Sequence, residues 1–111
     1  MSIAKTPEPP YYAAIFSSMR TPGDDAAYGA TGEAMAGLAM QQPGFLGFEF
    51  GADTPERFSV FVSYWKSDAD IKRWKQLADH LKAQEQGRSR WYASYKIRIA
   101  RVERDYGKGS T

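Results

Sequence analysis

The feature that most constrains the fold is a long run of alternating side chains near the end of the chain. Residues 90–103 alternate with a period of two, with Trp91, Tyr95 and Ile97 on one face and Tyr92 on the other, as expected for a β-strand. At about 3.3 Å per residue such a strand would run on the order of 45 Å, well beyond the usual five or six residues. We therefore expect its surplus to reach past its own subunit and pair with the sheet edge of a partner.

Turn-forming residues divide the rest of the chain into five further elements. A first strand is expected at residues 11–20, before "TPGDD", and a helix at residues 24–42, before "QPG". Two aromatic, alternating runs at residues 44–50 and 57–65 flank "GADTPE", a cluster typical of a hairpin loop. Ser67, with an acidic residue three positions later, predicts the start of a second helix.

This order of elements predicts an α+β fold of the ferredoxin-like βαββαβ class with an antiparallel sheet. In such a fold both helices cover one face of the sheet. The strands nevertheless carry large side chains on both faces, for example Tyr64 on one and Trp65 on the other. We therefore expect a homodimer that packs sheet against sheet.

The chain length and its ends indicate a single domain. A chain of 111 residues is enough for one hydrophobic core. Residues 1–10, which include the proline-rich "KTPEPP", are expected to form a flexible N-terminal tail. The folded domain is then expected at residues 11–106, and a polar C-terminal tail at residues 107–111.

Three glycines interrupt the first predicted helix. Gly29, Gly32 and Gly37 each cost about 1 kcal/mol relative to alanine, so we expect this helix to approach the sheet closely through its small residues. A phosphate-binding loop at "GATG" is the functional alternative. It lacks the lysine and the serine or threonine that end such a loop.

Composition removes several classes of function. The chain has no cysteine and one histidine, so disulfides, thiolate nucleophiles and multi-histidine metal sites are excluded, and we expect neither a metal nor a cofactor. A formal net charge of +2 gives no reason to expect a nucleic-acid partner. The N-terminal segment lacks a signal-peptide core and the chain lacks an apolar run of membrane-spanning length, so we expect a cytoplasmic protein with no membrane partner.

RNA binding is an alternative because RNA-recognition motifs share the predicted topology. The segment "RFSVFVSY" matches their third strand at Arg57, Phe61, Val62 and Tyr64. It lacks both small residues of that motif and places Ser59 where a stacking aromatic is required. The match is therefore weak.

Aromatic residues spread over three elements are the first candidates for a binding site. Packing in the core or at a dimer interface is one explanation for them, and a ring-lined pocket for a polycyclic aromatic substrate is the other. The set comprises Trp65, Trp74, Trp91, Tyr64, Tyr92 and Tyr95. His80 on the second helix is either a general base at the edge of that pocket or a surface histidine. Arg73, Arg88 and Arg98 are the cations that could stabilise developing negative charge.

The segment from Ser63 to Gly107, "SYWKSDADIKRWKQLADHLKAQEQGRSRWYASYKIRIARVERDYG", resembles the antibiotic biosynthesis monooxygenase family of dimeric α+β barrels. That family includes cofactor-free anthrone and quinol oxygenases and haem-degrading enzymes. The haem-degrading members use an asparagine on the first strand, a tryptophan on the second helix and a histidine about ten residues later. Trp74 matches the tryptophan, but Phe16 stands near the asparagine position and His80 lies about one helical turn from the histidine position.

The resemblance therefore implies a cofactor-independent monooxygenase that acts on a hydroxylated, anthrone-like or quinol-like small molecule. Under that reading Trp65, Trp74, Trp91 and Tyr92 bind the substrate, His80 accepts a proton, and Tyr95 or Arg73 holds the oxyanion. The alternatives are a non-catalytic dimeric barrel that binds a small hydrophobic ligand, a stress-response protein, and a haem-degrading monooxygenase.

Overall fold

Six segments form regular structure in the order that the sequence predicts. The computed structural model describes residues 2–23, 25–51, 57–84 and 92–109. Its elements are β1 (Tyr11–Arg20), α1 (Asp25–Met40), β2 (Phe45–Gly51), β3 (Phe58–Trp65), α2 (Asp68–Gln84) and β4 (Tyr92–Val102). The four strands form one antiparallel sheet in the order β2-β3-β1-β4. The predicted α+β, ferredoxin-like fold is thereby confirmed.

Ring packing shows which face of the sheet carries α2. Trp65 on β3 stacks on Trp74 of α2 with ring centroids 6.3 Å apart, and Phe45 of β2 meets Trp65 edge-on at 5.3 Å. We call this side the helix-side face. Because paired residues in antiparallel strands point to the same side, Phe16 and its partner Phe61 also lie on the helix-side face.

The other side, the open face, is partly covered by the chain's own N-terminal segment. The amide of Ala4 donates a hydrogen bond of 2.9 Å to Glu49 Oε2, and the Tyr64 hydroxyl donates one of 2.7 Å to Glu49 Oε1. Tyr11 and Ala13, on the same face, are buried. The open face is therefore not wholly bare in a single chain.

The length of β4 is matched by β1. The pairing runs from Tyr11 opposite Val102 to Arg20 opposite Tyr92, so β1 accompanies β4 along its whole length. The prediction that part of this strand projects past its own subunit is therefore wrong for residues 92–102, because β1 is about as long as β4. Residues 90 and 91, which the sequence also assigned to this strand, lie outside the described residues.

The register of β4 contains an irregularity that the alternating sequence did not predict. Met19 pairs with Ser94 but Arg20 pairs with Tyr92, so one residue of β4 is left without a partner, as in a β-bulge. A bulge shifts the alternation by one position. It therefore brings Tyr92 to the same face as Tyr95, although strict alternation would separate them.

Glycines have different roles from the predicted ones. A Cβ added at Gly32 or Gly37 would have nothing within 4 Å, so the predicted close approach of α1 through these two residues is wrong. Gly44 is the constrained position, because it has a φ of +82° and an added Cβ would overlap the carboxylate of Asp70. Its carbonyl accepts the amide of Lys66 at 2.8 Å, which fixes the start of β2 beside the end of β3.

The second helix begins as predicted. Ser67 Oγ accepts the amide of Asp70 at 3.1 Å and donates to Asp70 Oδ2 at 2.9 Å, which makes Ser67 the N-cap. Asp68 and Asp70 lie in the first turn, where carboxylates interact favourably with the helix dipole. The buried side chains Ile71 and Ala78 hold α2 against the sheet. Neither helix has the length and apolar character needed to cross a membrane, as judged over the described residues.

Candidate functional site

Three aromatic rings from β1 and β4 form a half-open cluster on the helix-side face. The ring of Phe16 meets Tyr92 edge-on at 5.3 Å and lies 5.5 Å from Tyr95, and the two tyrosine rings are 5.9 Å apart. Phe16 and Tyr92 are half-buried, whereas Tyr95 is 56% exposed. We call these three residues the ring cluster. They give a flat molecule an accessible aromatic surface with a hydroxyl at its rim.

The ring cluster continues along β4 as an apolar strip. Ile97 and Ile99 are cross-strand neighbours of Phe16 and Ala14 and therefore lie on the same helix-side face. Both isoleucines are large, exposed side chains. Adjacent exposed apolar side chains of this kind are typical of surfaces that bind a ligand or another protein.

A second aromatic group is part of the core instead. Trp65 has no exposed surface and donates its indole N–H to Ser63 Oγ at 2.9 Å, so the structure places this predicted substrate-binding residue in the packed interior. Trp74 is half-buried above it on α2. Trp91, which the sequence also nominated, lies outside the described residues.

The two nominated polar residues of α2 lie on the side of that helix away from its buried residue Ile71. His80 and Arg73 are both exposed. At about 100° per residue each lies roughly half a turn around α2 from the buried Ile71. Arg73 also pairs with Asp70, at 2.8 Å between Nη1 and Oδ1. Among the three nominated catalytic residues, Tyr95 alone belongs to the cluster.

Polar residues that the sequence analysis did not nominate lie at one end of this site. Ser18 Oγ and Ser59 Oγ are buried and 3.1 Å apart, and Arg20, two residues further along β1, is 8% exposed. All three share the helix-side face with Phe16, because they alternate with it on β1 or pair with β1 in register. The alternation of "FSSMR" carried this signal, since Phe16, Ser18 and Arg20 are spaced by two.

The opposite face carries a separate network of tyrosines and carboxylates. Tyr11 and Tyr64 meet edge-on at 5.9 Å, Tyr11 donates to Asp105 and Tyr64 donates to Glu49. Burial raises the pKa of Tyr64 above its ordinary value, and the hydrogen bond to Glu49 raises it further. Burial also raises the pKa of Tyr11. These two hydroxyls therefore stay protonated and serve structure rather than acid–base chemistry near neutral pH.

A shallow cavity of about 540 Å³ lies on the open face beside this network. Its lining is mostly apolar and comprises Ser2, Ile3, Glu49, Phe50, Gly51, Val60 and Val62. Both oxygens of Glu49 already accept hydrogen bonds, from the Ala4 amide and the Tyr64 hydroxyl. In the part of the chain that the structure describes, no three His, Asp or Glu side chains are grouped closely enough to hold a metal ion.

Comparison with known proteins gives a consistent result. The family model described as antibiotic biosynthesis monooxygenase matches residues 11–86. The uncharacterised protein YqjZ of Bacillus subtilis is 49% identical over 102 residues, which cover 92% of this chain and 88% of that protein. The match therefore extends over nearly the whole of both chains.

Solved structures share the fold at low sequence identity. SnoaB, a cofactor-independent oxygenase from Streptomyces nogalater, superposes with a TM-score of 0.70 at 12% identity, covering 90% of this chain and 100% of that one. A Pseudomonas aeruginosa protein superposes with a TM-score of 0.68 at 17% identity, covering 91% of this chain and 100% of the other. At such identities these structures establish the fold alone.

Proposed function

Because this chain belongs to the antibiotic biosynthesis monooxygenase family, we propose that it is a cofactor-independent monooxygenase of a hydroxylated aromatic molecule of the anthrone or quinol type. The observation that carries this proposal is the half-open ring cluster of Phe16, Tyr92 and Tyr95 on the helix-side face. Its rings offer stacking surface to a flat substrate. The cofactor-independent oxygenase from Streptomyces nogalater, which has the same fold, supports the reaction class.

The reaction needs little chemistry from the protein. In a substrate of the anthrone type, the ring CH₂ group loses one proton to a base, and the resulting carbanion gives one electron to dioxygen. The two radicals combine to a carbon-bound peroxide, which loses its second C–H proton as the O–O bond breaks. One oxygen atom stays as the new carbonyl and the other leaves as water. The protein binds the ring, keeps water out and stabilises negative charge on the substrate oxygen.

We assign these tasks to the ring cluster and to two residues of α2. Tyr92 and Phe16 hold the substrate ring, together with Trp74 on α2. The Tyr95 hydroxyl donates a hydrogen bond to the developing oxyanion, since Tyr95 is the more exposed tyrosine of the cluster. His80 is the proposed proton acceptor. It lies exposed on the outer side of α2.

Oxygen uptake against a panel of anthrones, hydroquinones and polyphenols tests the proposal. We expect uptake above the buffer rate, a loss of about tenfold to a hundredfold in kcat for Tyr95→Phe, and about a hundredfold for His80→Ala if His80 is the base. Tyr106→Phe is the control, because Tyr106 is exposed and lies outside the site. An unchanged rate in His80→Ala removes the base role of that residue, and no uptake with any compound contradicts the proposed reaction.

A non-catalytic barrel that binds a small hydrophobic molecule is the second candidate. The outward positions of His80 and Arg73 on α2 favour it, because both nominated polar side chains are exposed to solvent. Both candidates predict binding of flat aromatic molecules. Turnover separates them, and binding without oxygen uptake supports the second.

We propose in addition that the protein is a homodimer that buries the open face. Support comes from side chains of that face that keep exposed surface in the single chain, among them Phe58, Val60 and Val62. Apolar surface of this extent is commonly buried in a partner. The same packing would form the dimeric α+β barrel that the sequence predicts.

A further inference from the structure

The helix-side face changes from aromatic to polar toward one end. Phe16 lies between Ile97 on β4 and Phe61 on β3, which makes an apolar row. In the next row Ser18 lies between Tyr95 and Ser59. The row after that pairs Arg20 with Tyr92, so that two serines and an arginine follow Phe16 on this face. Directly opposed side chains have Cβ atoms about 5 Å apart, so Tyr92 is an immediate neighbour of Arg20.

Arg20 is a buried cation at this end. Its side chain is 8% exposed, and its backbone amide donates to the carbonyl of Arg57 at 3.1 Å, which fixes the strand end. A guanidinium carries a positive charge and presents five N–H donors in a planar fork. Little water surrounds a side chain this buried, so its charge acts on a neighbouring anion more strongly than a surface charge would.

The two serines add hydrogen-bonding capacity beside it. Ser18 Oγ and Ser59 Oγ form one hydrogen bond with each other, at 3.1 Å. That bond uses one of their two hydroxyl protons, so the pair keeps one proton that can be donated elsewhere. A guanidinium and a hydroxyl donor side by side match the requirements of an anionic oxygen.

We propose that Arg20 is a specificity-determining residue that binds an ionised oxygen on the edge of the aromatic substrate. The inference rests on the proposed function only in taking the ring cluster as the substrate site. A flat molecule stacked on the ring of Tyr92, with Phe16 at its edge, lies beside Arg20, since Arg20 and Tyr92 are cross-strand neighbours. The substrate class is then an aromatic molecule with an ionised phenol, enol or carboxylate, rather than a neutral polycycle. Arg20 also favours the ionised form of a phenol or enol, the form that reacts with dioxygen.

Binding of a matched pair of probes tests the proposal without turnover. The probes are anthraquinone-2-carboxylate and its neutral carboxamide, compared by equilibrium dialysis at pH 7 and about 0.15 M salt to screen surface charge. We expect the wild-type protein to bind the carboxylate about tenfold or more tightly than the amide. Arg20→Met keeps the length of the side chain and removes its charge. It should lose that preference while its affinity for the amide stays within about twofold.

Arg101→Met is the matched control. Arg101 pairs with Tyr12 and so lies on the same face at the opposite end of the sheet, and it is exposed. This variant should keep the preference for the carboxylate. Loss of the preference in Arg101→Met, or its persistence in Arg20→Met, would overturn the assignment to Arg20.

Two further outcomes keep the inference separate from the proposed reaction. If Arg20→Met fails to fold, the wild-type comparison still decides, because equal affinity for the two probes contradicts an anionic substrate. Arg20→Lys then tests the planar fork of the guanidinium. We expect this variant to bind the carboxylate less tightly than the wild type does, but more tightly than the wild type binds the neutral amide.

A carboxylate preference without oxygen uptake would leave the inference standing and refute the monooxygenase proposal. Oxygen uptake without the preference would support the monooxygenase proposal and refute the inference.

Discussion

At the residue scale, Gly44 is the position where the backbone tolerates least change. Its φ of +82° is unfavourable for any side chain with a Cβ, and that atom would displace Asp70. Asp70 cannot move freely, because Ser67 and Arg73 both bond to its carboxylate. We expect Gly44→Ala to lower the free energy of unfolding by about 1 to 3 kcal/mol, as measured by urea denaturation.

Gly32→Ala is the matched control for that substitution. Gly32 is exposed on α1, and an added Cβ would meet nothing within 4 Å. Because alanine favours helix where glycine does not, we expect this variant to be more stable by up to about 1 kcal/mol. Destabilisation by Gly32→Ala of the same size as that by Gly44→Ala would show that the cost is not specific to the backbone of Gly44.

Tyr64 predicts a stability change at alkaline pH. Burial and the bond to Glu49 raise the pKa of Tyr64 in the folded protein above its ordinary value near 10. Above that value the unfolded chain releases the proton while the folded chain retains it, so the free energy of unfolding falls as pH rises. Tyr64→Phe removes the hydrogen bond to Glu49, so its free energy of unfolding near neutral pH should be lower by about 1 kcal/mol. Above about pH 10 the free energy of unfolding of this variant should fall less steeply with pH than that of the wild type.

Urea denaturation at pH 8 and pH 10.5 checks this prediction. The control is Tyr106→Phe, since Tyr106 is an exposed tyrosine away from the network. Its decline should match that of the wild type. An equally steep decline in Tyr64→Phe would contradict the role assigned to Tyr64.

At the element scale, α2 depends on its first turn. Ser67 is the N-cap and satisfies the amide of Asp70. Removing the hydroxyl leaves that amide without its partner, so Ser67→Ala should cost about 1 kcal/mol of unfolding free energy. Ser67→Thr retains the hydroxyl and should lie within about 0.5 kcal/mol of the wild type in the same measurement. Equal losses in both variants would show that packing, rather than capping, explains the effect.

The sequence predicted the elements whose signals are local. The N-cap at Ser67 and the strand at residues 11–20 follow from patterns of a few residues, and both occur in the structure. The two helix glycines were misjudged because their surroundings depend on distant parts of the chain. The expected projection of β4 failed for the same reason, since the length of its partner strand decides what is surplus.

The candidate site was predicted only in part, and the bulge explains why. Alternation alone puts Tyr92 and Tyr95 on opposite faces, whereas the register shift beside Arg20 joins them with Phe16. A bulge depends on pairing between two strands, so neither strand's sequence displays it. His80 was nominated as a residue at the border of the apolar stripe of α2, but it is exposed and lies about half a turn from the buried Ile71.

At the scale of the whole molecule, the open face connects the fold to the proposed dimer. Val62 lies centrally on this face, opposite Ile15 on one neighbouring strand and Glu49 on the other, and it is half-buried. The N-terminal segment covers only part of the face, through the bond from Ala4 to Glu49. If a second copy packs there, the wild-type protein should sediment as a particle of twice 12.5 kDa. An arginine in place of Val62 would put a long, charged side chain at the centre of that apolar interface.

We therefore expect Val62→Arg to sediment as a monomer at micromolar concentration, with a loss of several kcal/mol in dimer stability. Ile97→Arg is the matched control, because Ile97 is an exposed apolar residue on the helix-side face of the same sheet. It should leave the sedimentation coefficient of the dimer unchanged. A monomeric Ile97→Arg beside a dimeric Val62→Arg would place the interface on the helix-side face. It would then cover the ring cluster, so that residues of the partner subunit rather than solvent would face Tyr95.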